Sequence, residues 1–598
     1  MFEWEGVDGT RIFAVMPPLN YNGNPVPKEC IEQWAQFKQK EFAEEIPFAF
    51  GWGDGGGGPT MGIIEHCRRL KNMAGVPRCE FGRLEDSIDR MAAQSAKHTL
   101  PVYNGELYLE LHRACQTTQA RTKRNNRACE TALHDAEFLG TLAHIEGAKY
   151  DHAKLWEAWK PVLTNQFHDI LPGSSITEVY EQTDRDYAHA MRAAREVQSA
   201  ALGGLAKKID TSGEGAPLVV LNTLSWVRDG IASIEFPKRL SEISVAATDG
   251  EIVPHQWAGK STLLFEVESA PPLGWAVYRI VQRTRSEDGA GALKASATGI
   301  ENEFFKLSFD SNGLITRLYD KTEARDVLPK GTSANVLQLF DDRPHLHDAW
   351  DFDHNYERTT WEPDKTESIE VVERGPVRAA VRVVRKTERS TISQDITLYA
   401  HTPRIDFVTT VDWREKHVLM KVAFPVDVRA SNATYEIQYG TIERPTHQNT
   451  AFDRGRYENT ALRWVDISEG DYGVTLLNDC KYGHDVKDNV LRMSLLRSST
   501  DPDPLADQGH HEFRYSLYPH AGDWRNGAVR QGLELNTPFI AGPVKPTRGD
   551  LAPVHSFASV DAENVVIDWV KKHEDSNAVI VRLYEANGQR GKVTVTFS

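Results

Sequence analysis

Long apolar runs are missing from this sequence of 598 residues. None approaches the roughly 20 consecutive residues that a bilayer-spanning helix needs, so no membrane partner is expected. Cysteine is scarce: Cys30, Cys67, Cys79, Cys115, Cys129 and Cys480 are the whole set, and no two form a C-x-x-C pair. That excludes a disulfide scaffold and reads as reduced thiols in a cytoplasmic protein. Positive charge is in deficit, with 69 Lys and Arg against 85 Asp and Glu, a net charge of −16. Such a surface repels phosphate backbones and anionic lipid, so no nucleic-acid partner is expected and a neutral or small ligand fits better. Internal repeats and low-complexity segments are absent, Gly55 to Gly58 being the only homopolymeric run. The opening MFEWEGVDGTRIFAV also lacks the basic stretch and apolar core of a secretory signal.

What is present divides into three textures. Single hydrophobic cores stop growing at about 250–300 residues, so a chain of this length holds several domains. Residues 1–95 mix short apolar runs, Arg11 to Met16 and Ile46 to Phe50, with Gly- and Pro-rich turns and a helical Met61 to Asn72, the texture of β/α units. Two strands with their helices are too few for an independent sheet or barrel. Residues 96–209 are rich in Ala, Leu, Glu and Arg, with no proline between Pro101 and Pro161. A further helix is announced there by the capping box Ser175-x-x-Glu178, followed by Ile176, Val179, Tyr180, Tyr187, Ala190, Ala194, Val197 and Ala201 at helical spacing. From about Ala216 alternation replaces the helical period, as in Val377 to Val384 and Ile396 to Val411, with turns such as Ser311-Asn312-Gly313. The remainder reads as all-β: a small β domain over 210–295, a large sandwich over 296–525 and a terminal β domain over 526–598.

Three constellations carry chemistry. In Gly51-Trp-Gly-Asp-Gly-Gly-Gly-Gly-Pro-Thr60 a single carboxylate, Asp54, sits among residues almost without side chains, which lets a ligand approach the backbone closely. The Lys and Ser/Thr of a phosphate loop do not follow it; the alternatives are an acid poised at a cleft or a plain strand-to-helix turn capped by Asp54. Leu155 to Ser174 is a helix with Leu155, Trp159, Val162 and Gln166 on one side, ending at Asn165, Gln166, His168 and Asp169 just before Pro172-Gly173. By chemistry alone a lone histidine there is more often a packed or surface residue than a metal ligand. Phe340 to His354 gathers five Asp, three His and Trp350 in a loop-like interval. Asp348 and Asp351 suit sugar hydroxyls and the Trp350 indole suits a pyranose face; a calcium site or a solvated acidic loop are the alternatives.

Taken in order, Glu5-Gly-Val-Asp-Gly-Thr10, the glycine run around Asp54, Leu100-Pro-Val-Tyr-Asn-Gly-Glu-Leu-Tyr-Leu-Glu-Leu-His-Arg113, Thr117-Thr-Gln-Ala-Arg-Thr-Lys-Arg-Asn-Asn-Arg127 and Asn165-Gln-Phe-His-Asp-Ile-Leu-Pro-Gly-Ser174 resemble the cytosolic and vacuolar branch of the glycoside hydrolase family 38 α-mannosidases. Asp342-Arg-Pro with Asp348-Ala-Trp-Asp351, Asn478 to Gly483 and His511 to His520 resemble its C-terminal β domains. The resemblance implies a multidomain α+β fold: a seven-stranded β/α barrel, of which residues 1–95 are the C-terminal remainder, a three-helix middle domain, and C-terminal β-sandwich domains. It implies exo-hydrolysis of terminal α-D-mannosyl residues from mannose-containing oligosaccharides, with retention, aided by a divalent cation, usually zinc. Retention requires two carboxyl groups roughly 5–5.5 Å apart. By the match of motifs Asp54 is the acid/base, with a raised pKa expected, His168 a metal ligand and Asp169 a neighbour that contacts substrate hydroxyls or orients the site; Asp348, Trp350 and Asp351 are further sugar contacts on their chemistry alone. A homo-oligomer is compatible by analogy.

The family pattern also contains an upstream His-x-Asp followed by aromatic residues and then an Asp that is both nucleophile and metal ligand. The only His-x-Asp here is His573-Glu-Asp575, without that sequel, and it is given no role. One metal ligand cannot hold zinc where at least three are needed. The expectation is a chain that is catalytically silent alone, with strand edges and apolar faces of residues 1–95 left open and cut first by proteases. Two other readings stand beside it: a non-catalytic carbohydrate-binding or assembly protein, and a hydrolase of another sugar that pairs Asp54 with Asp348 or Asp351.

Overall fold

Short amphipathic segments separated by Gly and Pro build the first of two units, Met1–Leu109; the second is Glu110–Ser598. The computed structural model describes every residue except Asp54, Gly56 and 283–292. In the first unit β1 (Phe2–Glu5) pairs antiparallel with β2 (Arg11–Ala14) and parallel with β3 (Val102–Asn104). Between β2 and β3 run α1 (Pro27–Gln36), α2 (Met61–Leu70) and α3 (Leu84–Ser95). A parallel pair needs a long crossover, and these helices supply it. Helix α1 starts with Pro27, which has no N–H to waste, and α2 is capped by the Thr60 hydroxyl, which accepts the Ile63 N–H at 3.3 Å. The core here is small, Phe37, Ala43 and Met91 with Trp34, Phe13 and Ile46, while Ile12, Met16 and Met61 stay exposed. Of the run Arg11 to Met16, Arg11–Ala14 is a strand. Ile46 to Phe50 is not: beyond one bridge from Phe50 to Gly23 it makes no ladder, and Ile46 packs into the core as an irregular segment.

The second unit opens on α4 (Ala120–Ile145), α5 (His152–Asn165) and α6 (Thr177–Leu205). Their apolar stripes interlock through Cys129, Leu133, Leu155, Val162, Tyr187, Ala190, Ala194 and Val197, as the spacing requires. Pro161 lies inside α5, within the stripe that runs from Leu155 through Trp159 and Val162. One local expectation fails. The capping box is not formed: the N-cap of α6 is Ile176, one residue later, without a side-chain bond, and the Ser175 hydroxyl instead donates to the Asp169 carbonyl.

Beyond Ala216 strands dominate. Ala216–Asn222 lies between Ile540–Pro543 and Gly274–Gln282 in one sheet, which Val554–Ser556 also joins, so the end of the chain returns to the start of the β region. That sheet packs against Arg228–Glu235 and Thr262–Ala270 through Leu218, Val220, Ile234, Phe265 and Phe539. Next comes a large sandwich. Its nine-stranded sheet runs from Lys365–Arg374 through Ile405–Trp413 and Gly509–Ala521 to Gly440–Pro445, and its six-stranded sheet is centred on Val418–Pro425 and Val490–Arg497. Alternate residues of each face the shared core of Phe407, Trp413, Met420, Phe424 and Tyr515. The region is not purely β: Ala528–Asn536 is a helix that buries Leu535 and Ala528 beside Trp464 and Trp524.

Candidate functional site

The stripe of α5 ends at Asn165, whose side-chain amide donates to Asp186 (3.2 Å). The chain then turns through Gln166 to Ser174 before α6 begins. Gln166 donates from its side chain to Asn126 (3.1 Å) and Glu130 (2.9 Å) on α4. Gly173 closes the turn at φ +101°, and a Cβ there would stand 2.5 Å from the Thr118 carbonyl oxygen, so only glycine fits. Beneath it the buried Lys123 ammonium donates to the carbonyls of Leu171 (2.8 Å) and Thr118 (2.5 Å). Burial pushes Lys123 down to about 8. Asp169 is fixed from the other side: its carboxylate accepts from the Ser174 hydroxyl (3.0 Å) and its carbonyl from the Ser175 hydroxyl (2.6 Å).

On this frame His168 is lifted outward. Its side chain is 78% exposed, its ring lies 4.1 Å from that of Phe167, and its Nε2 stands 3.5 Å from an Asp169 carboxylate oxygen. A buried base thus presents one imidazole and one carboxylate side by side to solvent.

The acidic segment 341–354 is organised by a residue that sequence reasoning did not single out. Arg497 is fully buried and its Nε stands 2.6 Å from Asp342. That contact is not aligned as a hydrogen bond at Nε, so its pull is coulombic, while Nη2 donates to the other Asp342 oxygen at 3.2 Å. The same guanidinium donates to the carbonyls of Asp348 and Asp351 and to the Thr118 hydroxyl. Burial pushes the Asp342 carboxyl upward against the pull of Arg497. Asp351 is also raised by burial, although Arg113 stands 3.1 Å away. The Asp348 carboxylate accepts the Thr500 N–H at 2.8 Å. The Trp350 carbonyl accepts from Ala114 (3.0 Å) and Cys115 (3.3 Å), and the half-buried Trp350 ring lies 6.1 Å from that of His347.

The His168–Asp169 turn and the Asp348–Asp351 loop therefore converge on residues 113–123. Thr118 joins them: its carbonyl takes Lys123, its hydroxyl donates to Ala349 (3.0 Å), and Arg497 donates to that hydroxyl. Cys115 lies in the same junction, raised to about 11 by burial, with Lys123, Arg497, Asp351 and Asp169 all near enough to act on its charge. Asp54 lies outside the described residues, so its placement is not part of this site. Among the described residues no group of three or more His, Cys, Asp or Glu is arranged to hold a metal ion, and the calcium alternative for residues 341–354 has no ligand cage to support it. A cavity of about 400 Å³ flanks α4, lined by Arg121, Arg124, Lys481 and His510 among others, and none of His168, Asp169 or Asp348 to Asp351 lines it. Among the described residues no helix is long and apolar enough to cross a membrane.

Arg113, Thr118 and Lys123 fall within motifs already quoted, which was the signal available for them. Arg497 lies in none.

Four family descriptions match the chain in order: glycosyl hydrolases family 38 N-terminal domain over 1–106, alpha mannosidase middle domain over 110–205, glycosyl hydrolases family 38 C-terminal domain over 300–505, and the family 38 C-terminal beta sandwich domain over 564–598. Alpha-mannosidase 2C1 of Homo sapiens is 35% identical over 600 residues, covering 98% of this chain and 55% of the relative. Alpha-mannosidase G of Dictyostelium discoideum is 33% identical, covering 100% and 58%. The chain thus spans little more than half the length of these relatives. Among solved structures, an alpha-mannosidase from Enterococcus faecalis V583 shares the fold with a TM-score of 0.82 at 17% identity, covering 100% of this chain and 78% of that one.

Proposed function

This chain belongs to glycosyl hydrolase family 38, and from that premise we propose that it serves in the retaining exo-hydrolysis of terminal α-D-mannosyl residues from oligosaccharides. The observation that carries the reading is the junction at residues 113–123, where buried Lys123 and Arg497 hold an exposed His168–Asp169 pair and the Asp348–Asp351 loop in one frame. In this reading residues 1–95 are the C-terminal part of the β/α barrel and Asp54 protonates the departing glycosidic oxygen. Asp169, braced by Ser174, accepts from sugar hydroxyls, and the Trp350 ring offers an apolar face.

A divalent cation belongs to the same reading, with His168 as one ligand. The described residues do not make a centre for it: His168 and Asp169 are two donors, and a zinc site takes at least three. The second carboxylate of a retaining pair also has no residue assigned to it in this chain. We accordingly propose that the 598-residue polypeptide alone does not turn over. A cytoplasmic setting is supported by six cysteines without a disulfide, and the net charge of −16 speaks against nucleic acid as partner.

The test is hydrolysis of an aryl α-mannoside. The isolated chain should show none; hydrolysis abolished by Asp54→Asn would overturn the proposed silence. Co-expression with the N-terminal segment of a family member that carries its His-x-Asp should restore hydrolysis, and His168→Ala or Asp169→Asn should abolish it again. Glycan binding without any restored hydrolysis would sink the enzyme reading in favour of a carbohydrate-binding protein.

A further inference from the structure

Three of the six cysteines gather in the first unit. Cys30 is on the buried face of α1, Cys67 is in the last turns of α2, and the N–H of Cys79 returns to the carbonyl of Leu70 at the end of that helix. The Cys79 thiol points at the Cys30 sulfur, 3.8 Å away, and also at the Pro77 carbonyl at 3.4 Å. Cys67 is near enough to both to act on their charges. Cys30 is buried, whereas Cys67 and Cys79 are half-buried and reachable by a small reagent.

Three thiols suggest two chemistries. A thiophilic metal ion is disfavoured, because among the described residues no set of three such donors has the arrangement a cation requires. A disulfide needs two sulfurs at about 2.05 Å, so the pair, now 3.8 Å apart, must approach by roughly 1.8 Å. A cytosolic disulfide, where one occurs, is usually transient and redox-sensing.

We propose that Cys30 and Cys79 form a reversible dithiol–disulfide site, closed by a low-molecular-weight disulfide of the glutathione class. The step balances as thiol–disulfide exchange. The Cys79 thiolate attacks one sulfur of the oxidant, whose S–S bond breaks and releases a first small thiolate. The Cys30 thiol then loses its proton and attacks the Cys79 sulfur; the Cys30–Cys79 bond forms and the second small thiolate leaves. Two electrons pass to the oxidant, and the two protons end on the two small thiols. Closure ties α1 to the C-terminal end of α2, the helix that follows directly on the glycine run around Asp54. Cys115, Cys129 and Cys480 take no part.

The full chain, equilibrated in glutathione buffers from fully reduced to about a hundredfold excess of the oxidised form, is acid-quenched, alkylated and mapped by mass spectrometry. Expected is a loss of two alkylatable thiols, a Cys30–Cys79 linked peptide pair lighter by two hydrogens than its reduced parts, and full reversal by dithiothreitol. Cys67→Ser should leave that link intact, while Cys30→Ser should leave a stable glutathione adduct on Cys79. Phenylarsine oxide, which bridges neighbouring thiols, should protect one pair in the wild type and none in Cys79→Ser. Recovery of both thiols fully alkylated from the most oxidising buffer, separate glutathione adducts on each, or a link that uses Cys67 would each overturn the proposal.

Discussion

Replacing Arg497 by Met is the sharpest probe of the junction that frames the candidate site. The wild-type guanidinium is fully buried and faces the Asp342 carboxylate, the carbonyls of Asp348 and Asp351 and the Thr118 hydroxyl. Methionine fills much of the same volume but leaves Asp342 as a buried charge without a counterion. Breaking a buried pair from one side costs about 3–5 kcal/mol. With a urea dependence of about 3 kcal/mol/M, that lowers the unfolding midpoint by roughly 1–1.7 M. The assay is urea unfolding followed by near-ultraviolet circular dichroism, together with hydrogen exchange across residues 341–354, where protection should fall most. Removing both charges in Arg497→Met/Asp342→Leu should recover more than half of the loss, since the orphaned carboxylate carries most of the penalty. A midpoint shift below about 0.3 M in the single variant, on the same urea dependence, would refute the claim that Arg497 holds the loop. An equal loss in the double variant would refute the electrostatic account of how it does so.

Other changes test the rest of the frame. Gly173→Ala forces a Cβ to within 2.5 Å of the Thr118 carbonyl at φ +101°, and should destabilise by about 1–3 kcal/mol or more; hydrogen exchange should quicken across residues 166–176 while the centre of α4 stays protected. Lys123→Met leaves the buried Thr118 carbonyl and the partly buried Leu171 carbonyl without their donor and should cost about 1–3 kcal/mol, read as faster proteolysis of the same turn. Asp406 tests pH dependence. Burial raises its pKa, but Arg404 and Arg514 outweigh burial and hold it at about 2, below the ordinary value of 3.8. Its contribution, of the order of 2 kcal/mol, is therefore present above about pH 4 and lost as pH falls through about 2. Asp406→Asn should flatten that part of an acid-unfolding curve, and an unchanged slope would contradict the assignment.

The helices were legible because their signal is local. Leu155, Val162, Tyr187, Ala190, Ala194 and Val197 recur at helical spacing, and each is buried as that spacing requires. The strands around Arg378 to Trp413 alternate for the same reason. What could not be read depends on partners far along the chain. Ser175 has the sequence of a cap, yet its hydroxyl goes to Asp169, a choice set by the fold of the turn rather than by the next four residues. The acids of 341–354 look like a free sugar- or cation-binding loop. Arg113 and Arg497, remote in sequence, take up Asp351 and Asp342, so composition alone misstates how much of that charge faces solvent. Lys123 sits inside a quoted motif, but a lysine is so seldom fully buried that nothing marked it as the pin beneath Leu171.

The sheet that holds Ala216–Asn222 has a temporal consequence. One neighbour of that strand, Ile540–Pro543, is made about 320 residues later. At a synthesis rate of roughly 5–20 residues per second, one flank of the strand waits on the order of a quarter of a minute to a minute before its partner leaves the ribosome. During that interval an unsatisfied row of amides and carbonyls invites any extended peptide nearby. A nascent chain halted before residue 540 should engage chaperones strongly, and one released after Val554–Ser556 has emerged should not.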